Sequence, residues 1–326
     1  MIKPKIYIAE PIPKEVEEYI AEYCDYEKWE GEQAIQRNVL LDKLSDKDGV
    51  LLSGVAIDAE LLDRAPKLRV VSSISVGYNN FDLQVMKERN IIGTNTPGVL
   101  DDTVADLIFG LILSSARRIA ELDRYVKMGN WKKGDSKNIF GVDVHHSTLG
   151  IIGMGRIGEA VAKRAKLGFD MEVCYHNRSR KKDVEGRLGV EYCELKELLA
   201  KSDFIVLMTP LSDATRHLID SEQFGIMKDT AIFINASRGQ VVNEQALIEA
   251  LQSKKILGAG LDVYEKEPVN ADNPLLKMAN VVTVPHIGSA TNKTRLDMAM
   301  LDAQNLVKGL LGEIPPNIVP ELKSNL

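Results

Sequence analysis

Three side chains of complementary type follow one another in the last third of the chain: Arg238 in Asn235-Ala236-Ser237-Arg238-Gly239, Glu267 in Tyr264-Glu265-Lys266-Glu267-Pro268, and His286 in Val284-Pro285-His286-Ile287-Gly288-Ser289. A guanidinium can grip a carboxylate through two parallel hydrogen bonds and polarise a carbonyl beside it. A protonated imidazole can hand a proton to that carbonyl oxygen while hydride arrives at carbon. A glutamate can orient the ring and favour its charged form. Taken singly, each has an ordinary reading as a surface arginine, a turn before proline or a structural histidine. Their joint placement, each behind a strand-like run and downstream of a nucleotide loop, points to reduction of a 2-keto acid.

That loop is Gly153-Met154-Gly155-Arg156-Ile157-Gly158, reached from the apolar run Leu149-Gly150-Ile151-Ile152 and followed by Ile157, Ala160, Val161, Ala165 and Leu167 at helical spacing. A glycine serves a tight turn, close approach of backbone to a diphosphate, and close packing of helix on strand, in that order. The diphosphate would sit at the helix N-terminus. About 20 residues on, an NAD-binding chain places an Asp or Glu for the ribose hydroxyls. This chain has His176-Asn177-Arg178-Ser179-Arg180-Lys181-Lys182 instead. A carboxylate there would repel a 2′-phosphate, whereas guanidinium and hydroxyl groups can hold one, so Asn177, Arg178, Ser179 and Arg180 favour NADPH, with NADH possible. The competing reading is a solvated basic loop.

With 326 residues and 44% apolar content, the chain is expected to form two domains with a core in each. A formal charge of −6 argues against a general nucleic-acid binder. Residues 107–113, the longest apolar stretch, fall far short of the ~20 that span a bilayer. The N-terminus carries no signal-peptide pattern. Cys24, Cys174 and Cys193 show no metal-ligand spacing and leave an odd thiol, which fits a reducing cytoplasm and gives them no catalytic role. The adjacent His145 and His146 would face opposite ways in a strand, and His217 falls in a stretch read as a polar helix, so no metal is expected.

The elements that must position these groups read as an α/β chain. Strand-like runs at about 5–9, 49–53, 68–73 and 91–94 alternate with helices at 14–22, 58–64 and 82–89, which implies a parallel sheet covered on both faces. A single long helix from about 102 to 128 follows the breaker Pro97-Gly98. From 148 a second series runs through 172–175, 204–208, 231–235, 258–263 and 281–284, six strands in all. A last helix near 292–311 has no strand of its own to cover and is expected to return to the first domain. The expected architecture is two flavodoxin/Rossmann-like doubly wound parallel-sheet domains: 1–100 with 290–326 as substrate domain, and 101–289 as an inserted dinucleotide-binding domain.

From about Leu68 onward the chain resembles the D-isomer-specific 2-hydroxyacid dehydrogenase family. The motifs are Ser75-Val76-Gly77-Tyr78, Asn95-Thr96-Pro97-Gly98, Thr103-Val104-Ala105-Asp106, the glycine loop, Thr209-Pro210-Leu211, Phe233 to Gly239, Gly260-Leu261-Asp262-Val263 and Pro285 to Ala290. Only the first 45 residues or so carry little of the pattern. Within the family it is most similar to glyoxylate/hydroxypyruvate reductases, including the bacterial branch that also reduces 2-ketogluconate; Val144-His145-His146 and Ser289-Ala290-Thr291 support that branch. The resemblance implies that Arg238, Glu267 and His286 are the catalytic set and that Val76 and Gly77 bind the substrate carboxylate through backbone N–H groups. It places Thr103, Arg156, Ile157, Thr209, Pro210, Asp262 and Gly288 with the cofactor. It further implies a cleft between the domains, an (R)-2-hydroxy acid product, and a homodimer in which the helix after Asp102 and the loop 131–144 take part. Some family reductases present a tryptophan to the partner's substrate; Lys137-Asn138-Ile139-Phe140-Gly141 has none, and Trp131 is expected to pack the end of the preceding helix. An alternative class is a dinucleotide-sensing, corepressor-like binding protein on the same scaffold, although the chain lacks the disordered tails of a regulatory hub.

Overall fold

The computed structural model describes residues 2–135 and 139–325. They divide into two compact units, 1–100 with 290–326 and 101–289. The first holds β1 (Lys5–Ile8), β2 (Asp25–Lys28), β3 (Gly49–Leu52), β4 (Val70–Ser73) and β5 (Ile92–Thr94), all parallel in the order β2-β1-β3-β4-β5. β3 and β4 are buried along their whole length, the pattern of strands covered on both faces. One cover is the helix Asn292–Leu310: a Cβ on Gly49 would lie 2.9 Å from the Leu306 side chain, so helix and strand touch at a glycine.

The second unit holds β6 (Thr148–Ile152), β7 (Glu172–His176), β8 (Glu191–Tyr192), β9 (Phe204–Leu207), β10 (Ile232–Asn235), β11 (Gly258–Leu261) and β12 (Val281–Thr283). They form one parallel sheet ordered β12-β11-β10-β9-β6-β7-β8. The order reverses between β6 and β9, and ligands collect at the carboxyl ends of strands beside such a reversal. Both sheets are doubly wound and parallel. Among the described residues no helix is long and apolar enough to cross a membrane.

The single helix expected from 102 to 128 is two, Asp101–Ala116 and Ile119–Lys127. Arg118 between them has φ +56°, a left-handed backbone that a continuous helix cannot contain. β2 and the two-residue β8 escaped the sequence reading: each is an edge strand, and β2 is largely exposed, so neither shows an apolar run.

Candidate active site

The glycine loop joins β6 to the helix Arg156–Phe169, and its three glycines meet three different surroundings. Gly153 has φ +107°, and a Cβ there would stand 2.6 Å from the Met208 carbonyl oxygen. A Cβ on Gly158 would lie 2.4 Å from the Gly153 carbonyl oxygen. Gly155 has open space at its Cβ position, at the N-terminus of a 14-residue helix whose Ncap supplies no side-chain bond. An accessible cradle of unpaired N–H groups at a helix start fits a diphosphate. Arg156 pairs with Asp101 at 3.3 Å, and the Thr209 hydroxyl donates to the Ile152 carbonyl at 3.1 Å, bracing β9 against the strand that feeds the loop. Pro210 follows it, and Thr103 lies in the first turn of the helix Asp101–Ala116.

The basic run begins where β7 ends. The Asn177 amide donates to the Ser179 carbonyl at 3.1 Å, bending the loop back on itself. Arg180 is already engaged: Nε and Nη2 each donate to Glu185 at 2.8 Å, and this pairing, with a bond from the Tyr175 hydroxyl, holds the Glu185 carboxyl down at about 2. Arg178 makes no side-chain hydrogen bond among the described residues. The two arginines therefore differ in availability, which the sequence did not reveal.

Arg238, Glu267 and His286 follow β10, β11 and β12, three adjacent strands, all at carboxyl ends. The His286 Nδ1 lies 2.7 Å from Glu267 Oε2. Glu267 Oε1 accepts the Tyr264 N–H at 3.0 Å, so both carboxylate oxygens are fixed. Although burial pushes the Glu267 carboxyl up, the His286 bond, the Tyr264 N–H and nearby Arg238 more than offset it and hold the group below its ordinary value. An ionised Glu267 makes Nδ1–H the donor and leaves Nε2 as the nitrogen that can pass a proton outward. His286 has φ +51°, uncommon for a side chain of this size. Its N–H donates to the Asp262 carbonyl at 2.9 Å, and the Asp262 carboxylate accepts from Ile287 and Gly288 N–H at 2.6 and 2.9 Å. Asp262 thus holds the turn that presents the imidazole. Burial raises its own carboxyl against those two bonds and the attraction of His286.

Arg238 is part-buried, and desolvation, opposed by the Glu267 charge, lowers its guanidinium from the ordinary value. Its Nη1 donates to the Ser237 carbonyl at 2.7 Å. Buried Asn235, the last residue of β10, shapes this turn: Oδ1 accepts the Ser237 N–H and hydroxyl at 3.0 and 2.9 Å, and Nδ2 donates to the Arg238 carbonyl at 3.2 Å. Tyr264 joins the other two turns, its hydroxyl donating to the Val284 carbonyl at 3.1 Å. Sequence reasoning missed Asn235 and Tyr264; the available signal was a polar group closing an otherwise apolar strand.

In the first unit, the loop after β4 carries Val76 and Gly77. The Val76 carbonyl accepts the Asn95 amide at 2.8 Å and the Gly77 carbonyl accepts the Ser75 hydroxyl at 2.5 Å. Neither residue's N–H is bonded among the described residues. Two N–H groups without a partner among the described residues, on a loop tied down through its carbonyls, are open to a ligand that accepts hydrogen bonds.

Several expectations are corrected. Trp131 is 66% exposed, so the preceding helix leaves most of it uncovered. His217 lies in a turn with φ +52°, not a helix, and its Nε2 sits 3.2 Å from Glu265 Oε1. His145 and His146 occupy a turn with their rings edge to face at 5.0 Å, not a strand. Lys137 and Asn138 of the loop without tryptophan lie outside the described residues. The three cysteines are buried, and burial pushes Cys24 and Cys174 up to about 11 and about 12. Glu191, Cys193 and Glu197 bring three ligand atoms within 4.8 Å of one another, but the Lys201 ammonium already pairs with both carboxylates at 2.8 and 3.4 Å.

A diphosphate cradle and a carboxylate-held imidazole on one parallel sheet define a dinucleotide-dependent oxidoreductase. Residues 109–288 match the model of the D-isomer specific 2-hydroxyacid dehydrogenase NAD-binding domain. The chain is 46% identical over 320 residues to glyoxylate/hydroxypyruvate reductase B of Escherichia coli O6:K15:H31 (strain 536 / UPEC), covering 98% of each. It belongs to the D-isomer specific 2-hydroxyacid dehydrogenase family. Among solved structures, the TT0316 protein from Thermus thermophilus superposes with a TM-score of 0.90 at 39% identity, over 97% of this chain and 99% of that one. An NADPH-dependent glyoxylate/hydroxypyruvate reductase from Sinorhizobium meliloti, in complex with NADP and malonate, superposes with a TM-score of 0.86 at 29% identity, over 98% of both chains.

Proposed function

We propose that this chain reduces small 2-keto acids, glyoxylate, hydroxypyruvate and 2-ketogluconate, to (R)-2-hydroxy acids, with NADPH preferred over NADH. The observation that carries the reading is the 2.7 Å bond between Glu267 and His286 Nδ1, which frees Nε2 for proton transfer. The reductase names of its relatives in Escherichia coli and Sinorhizobium meliloti support the substrate class, and the second, with NADP in its structure, supports the cofactor. When bound, the nicotinamide supplies the hydride. Arg238 grips the substrate carboxylate and polarises the neighbouring carbonyl. Nε2 of His286 protonates the carbonyl oxygen, and the N–H groups of Val76 and Gly77 are proposed as substrate-binding donors of the first unit. Oxidation is the reverse path, favoured at higher pH because it releases a proton.

Arg178 is assigned to the 2′-phosphate as the freer of the two guanidiniums, with Asn177, Ser179 and Arg180 beside it. A homodimer is proposed through the second unit. The helix Ile119–Lys127 buries none of its residues, and Ile119, Val126, Met128, Trp131 and Phe140 are all exposed, a cluster that asks for a covering partner.

The test is steady-state kcat/KM for the three keto acids with NADPH and NADH, in parallel with His286→Ala. Turnover in that variant is expected to fall ~10²–10⁴-fold with NADPH affinity little changed. Full turnover would remove His286 from the mechanism. Tight NADPH binding with no oxidation by any small keto acid would favour a dinucleotide-sensing protein instead.

A further inference from the structure

The loop that carries Glu267 is gripped at one residue, Glu265, from three directions. Its N–H donates to Glu244 Oε2 at 3.1 Å, its carbonyl accepts from Gln240 Nε2 at 2.7 Å, and its carboxylate meets His217 Nε2 at 3.2 Å. The gripping residues are themselves joined. Glu244 Oε1 accepts the Asn273 amide at 2.7 Å, and the His217 N–H donates to the Gln240 carbonyl at 3.0 Å. Glu244 opens the helix Glu244–Gln252, whereas Gln240 stands only two residues beyond Arg238.

The loop also meets the Arg238 loop in close backbone contact at Gly239, so hydrogen bonds and packing locate it together. A cavity of about 10 Å³, at the lower limit for one water, is lined by Asn235, Gly239, Glu244, Tyr264 and Glu265. Beside that small cavity, the hydrogen bonds from Gln240 and Glu244 hold the Glu265 peptide on two sides. The neighbouring Tyr264 N–H is the group that holds Glu267. We propose that Gln240 and Glu244 are positioning residues for the reaction: they clamp the Glu265 peptide, fix Glu267 against His286, and keep that pair in register with Arg238. The inference rests on the reading of Glu267 and His286 as the acid-base pair.

Three variants of Gln240 and Glu244 test it beside Glu267→Gln. Gln240→Met keeps the side-chain length and removes the donor; Gln240→Lys restores a donor; Glu244→Gln turns an N–H against one of the two groups that now donate to it. Measured for each are kcat and KM for glyoxylate, the pH profile of reduction, NADPH affinity and Tm. Displacing a catalytic group by a fraction of an ångström is expected to lower kcat about tenfold in Gln240→Met and Glu244→Gln, with KM and NADPH affinity within about twofold. The alkaline limb of both profiles is expected to move to lower pH, towards that of Glu267→Gln, and Gln240→Lys to recover most of the loss. A lower Tm with wild-type kcat and pH profile in Gln240→Met and Glu244→Gln, while Glu267→Gln is altered, would reduce the clamp to a structural tie. A wild-type profile in Glu267→Gln would instead overturn the acid-base reading beneath it.

Discussion

Gly239→Ala adds one methyl group where the loop bearing Arg238 meets the loop bearing Glu267. An ideal Cβ at Gly239 falls 1.8 Å from both the carbonyl carbon and oxygen of Tyr264, and 2.4 Å from the Glu265 nitrogen. All three are backbone atoms, so no rotamer change relieves the overlap. Ordinary contact begins near 3.4 Å, so the two strand-end loops must separate by about 1.6 Å, the difference between 3.4 and 1.8 Å. Misplacement of a catalytic group by about 1 Å can cost ~10²-fold, so kcat/KM for glyoxylate is expected to fall by at least about 100-fold, or ~2.7 kcal/mol in the barrier. Overpacking itself costs ~1–3 kcal/mol of stability. NADPH affinity is the internal control, because the glycine loop hangs from β6, separated from β10 by β9. A second control is Gly150→Ala, whose Cβ would meet the Ser202 hydroxyl at 2.3 Å and a Leu198 methyl at 2.6 Å. It is expected to lower Tm while leaving the turnover of folded enzyme far less affected than Gly239→Ala. Wild-type kcat/KM and Tm in Gly239→Ala would refute the contact between the loops and the argument built on it.

Other consequences concern the cofactor and the first unit. Arg178→Ala is expected to weaken NADPH binding severalfold more than Arg180→Ala, because Arg180 already commits two N–H groups to Glu185, while NADH binding changes little in either; fluorescence titration of both cofactors decides, and equal losses would make the run a solvated loop. Asp302 is fully buried, accepts the Ser72 hydroxyl at 2.6 Å through Oδ1, and has no partner at Oδ2 among the described residues. Desolvation pushes its carboxyl well above 3.8, with nearby Glu10 adding to the rise. A folded-state value raised above the unfolded one means that the folded protein holds the proton more tightly. Its stabilising contribution is therefore full below the unfolded value and is lost as pH climbs through the folded one. Asp302→Asn is expected to gain Tm relative to the parent as pH rises from about 4.5 to 8; parallel Tm curves across that range would show that Asp302 does not titrate differently on folding.

Much of the chemistry could be read from residue order because it rests on local geometry. A glycine at 153 is required by a positive φ and one at 158 by the Gly153 carbonyl that approaches it, while Gly155 leaves open space at the helix start, so the loop declares itself in six residues. The runs that became β3 and β9 are apolar throughout and buried along their whole length, the pattern of strands covered on both faces, and β4 and β10 follow it except for their buried polar ends Ser72, Ser73 and Asn235. Edge strands β2 and β8 were invisible for the converse reason: an exposed strand needs no apolar pattern. The break at Arg118 was hidden too, since a non-glycine residue adopts φ +56° only where surrounding structure imposes it.

What the order of residues alone determined was the inventory: a nucleotide loop, a basic run without its acid, and an arginine, a glutamate and a histidine behind successive strands. Only the tertiary structure decided the pairing within it. It gave the expected Glu267–His286 pair its 2.7 Å bond through Nδ1, gave Asp262 the task of holding the histidine turn, tied Arg180 to Glu185 while Arg178 makes no side-chain bond among the described residues, and brought His217, Gln240 and Glu244 onto Glu265. Those bonds link loops distant in sequence, and their partners are set by which strand ends are neighbours in the sheet. Strand order is a property of the packed sheet as a whole, so no local window of sequence contains it.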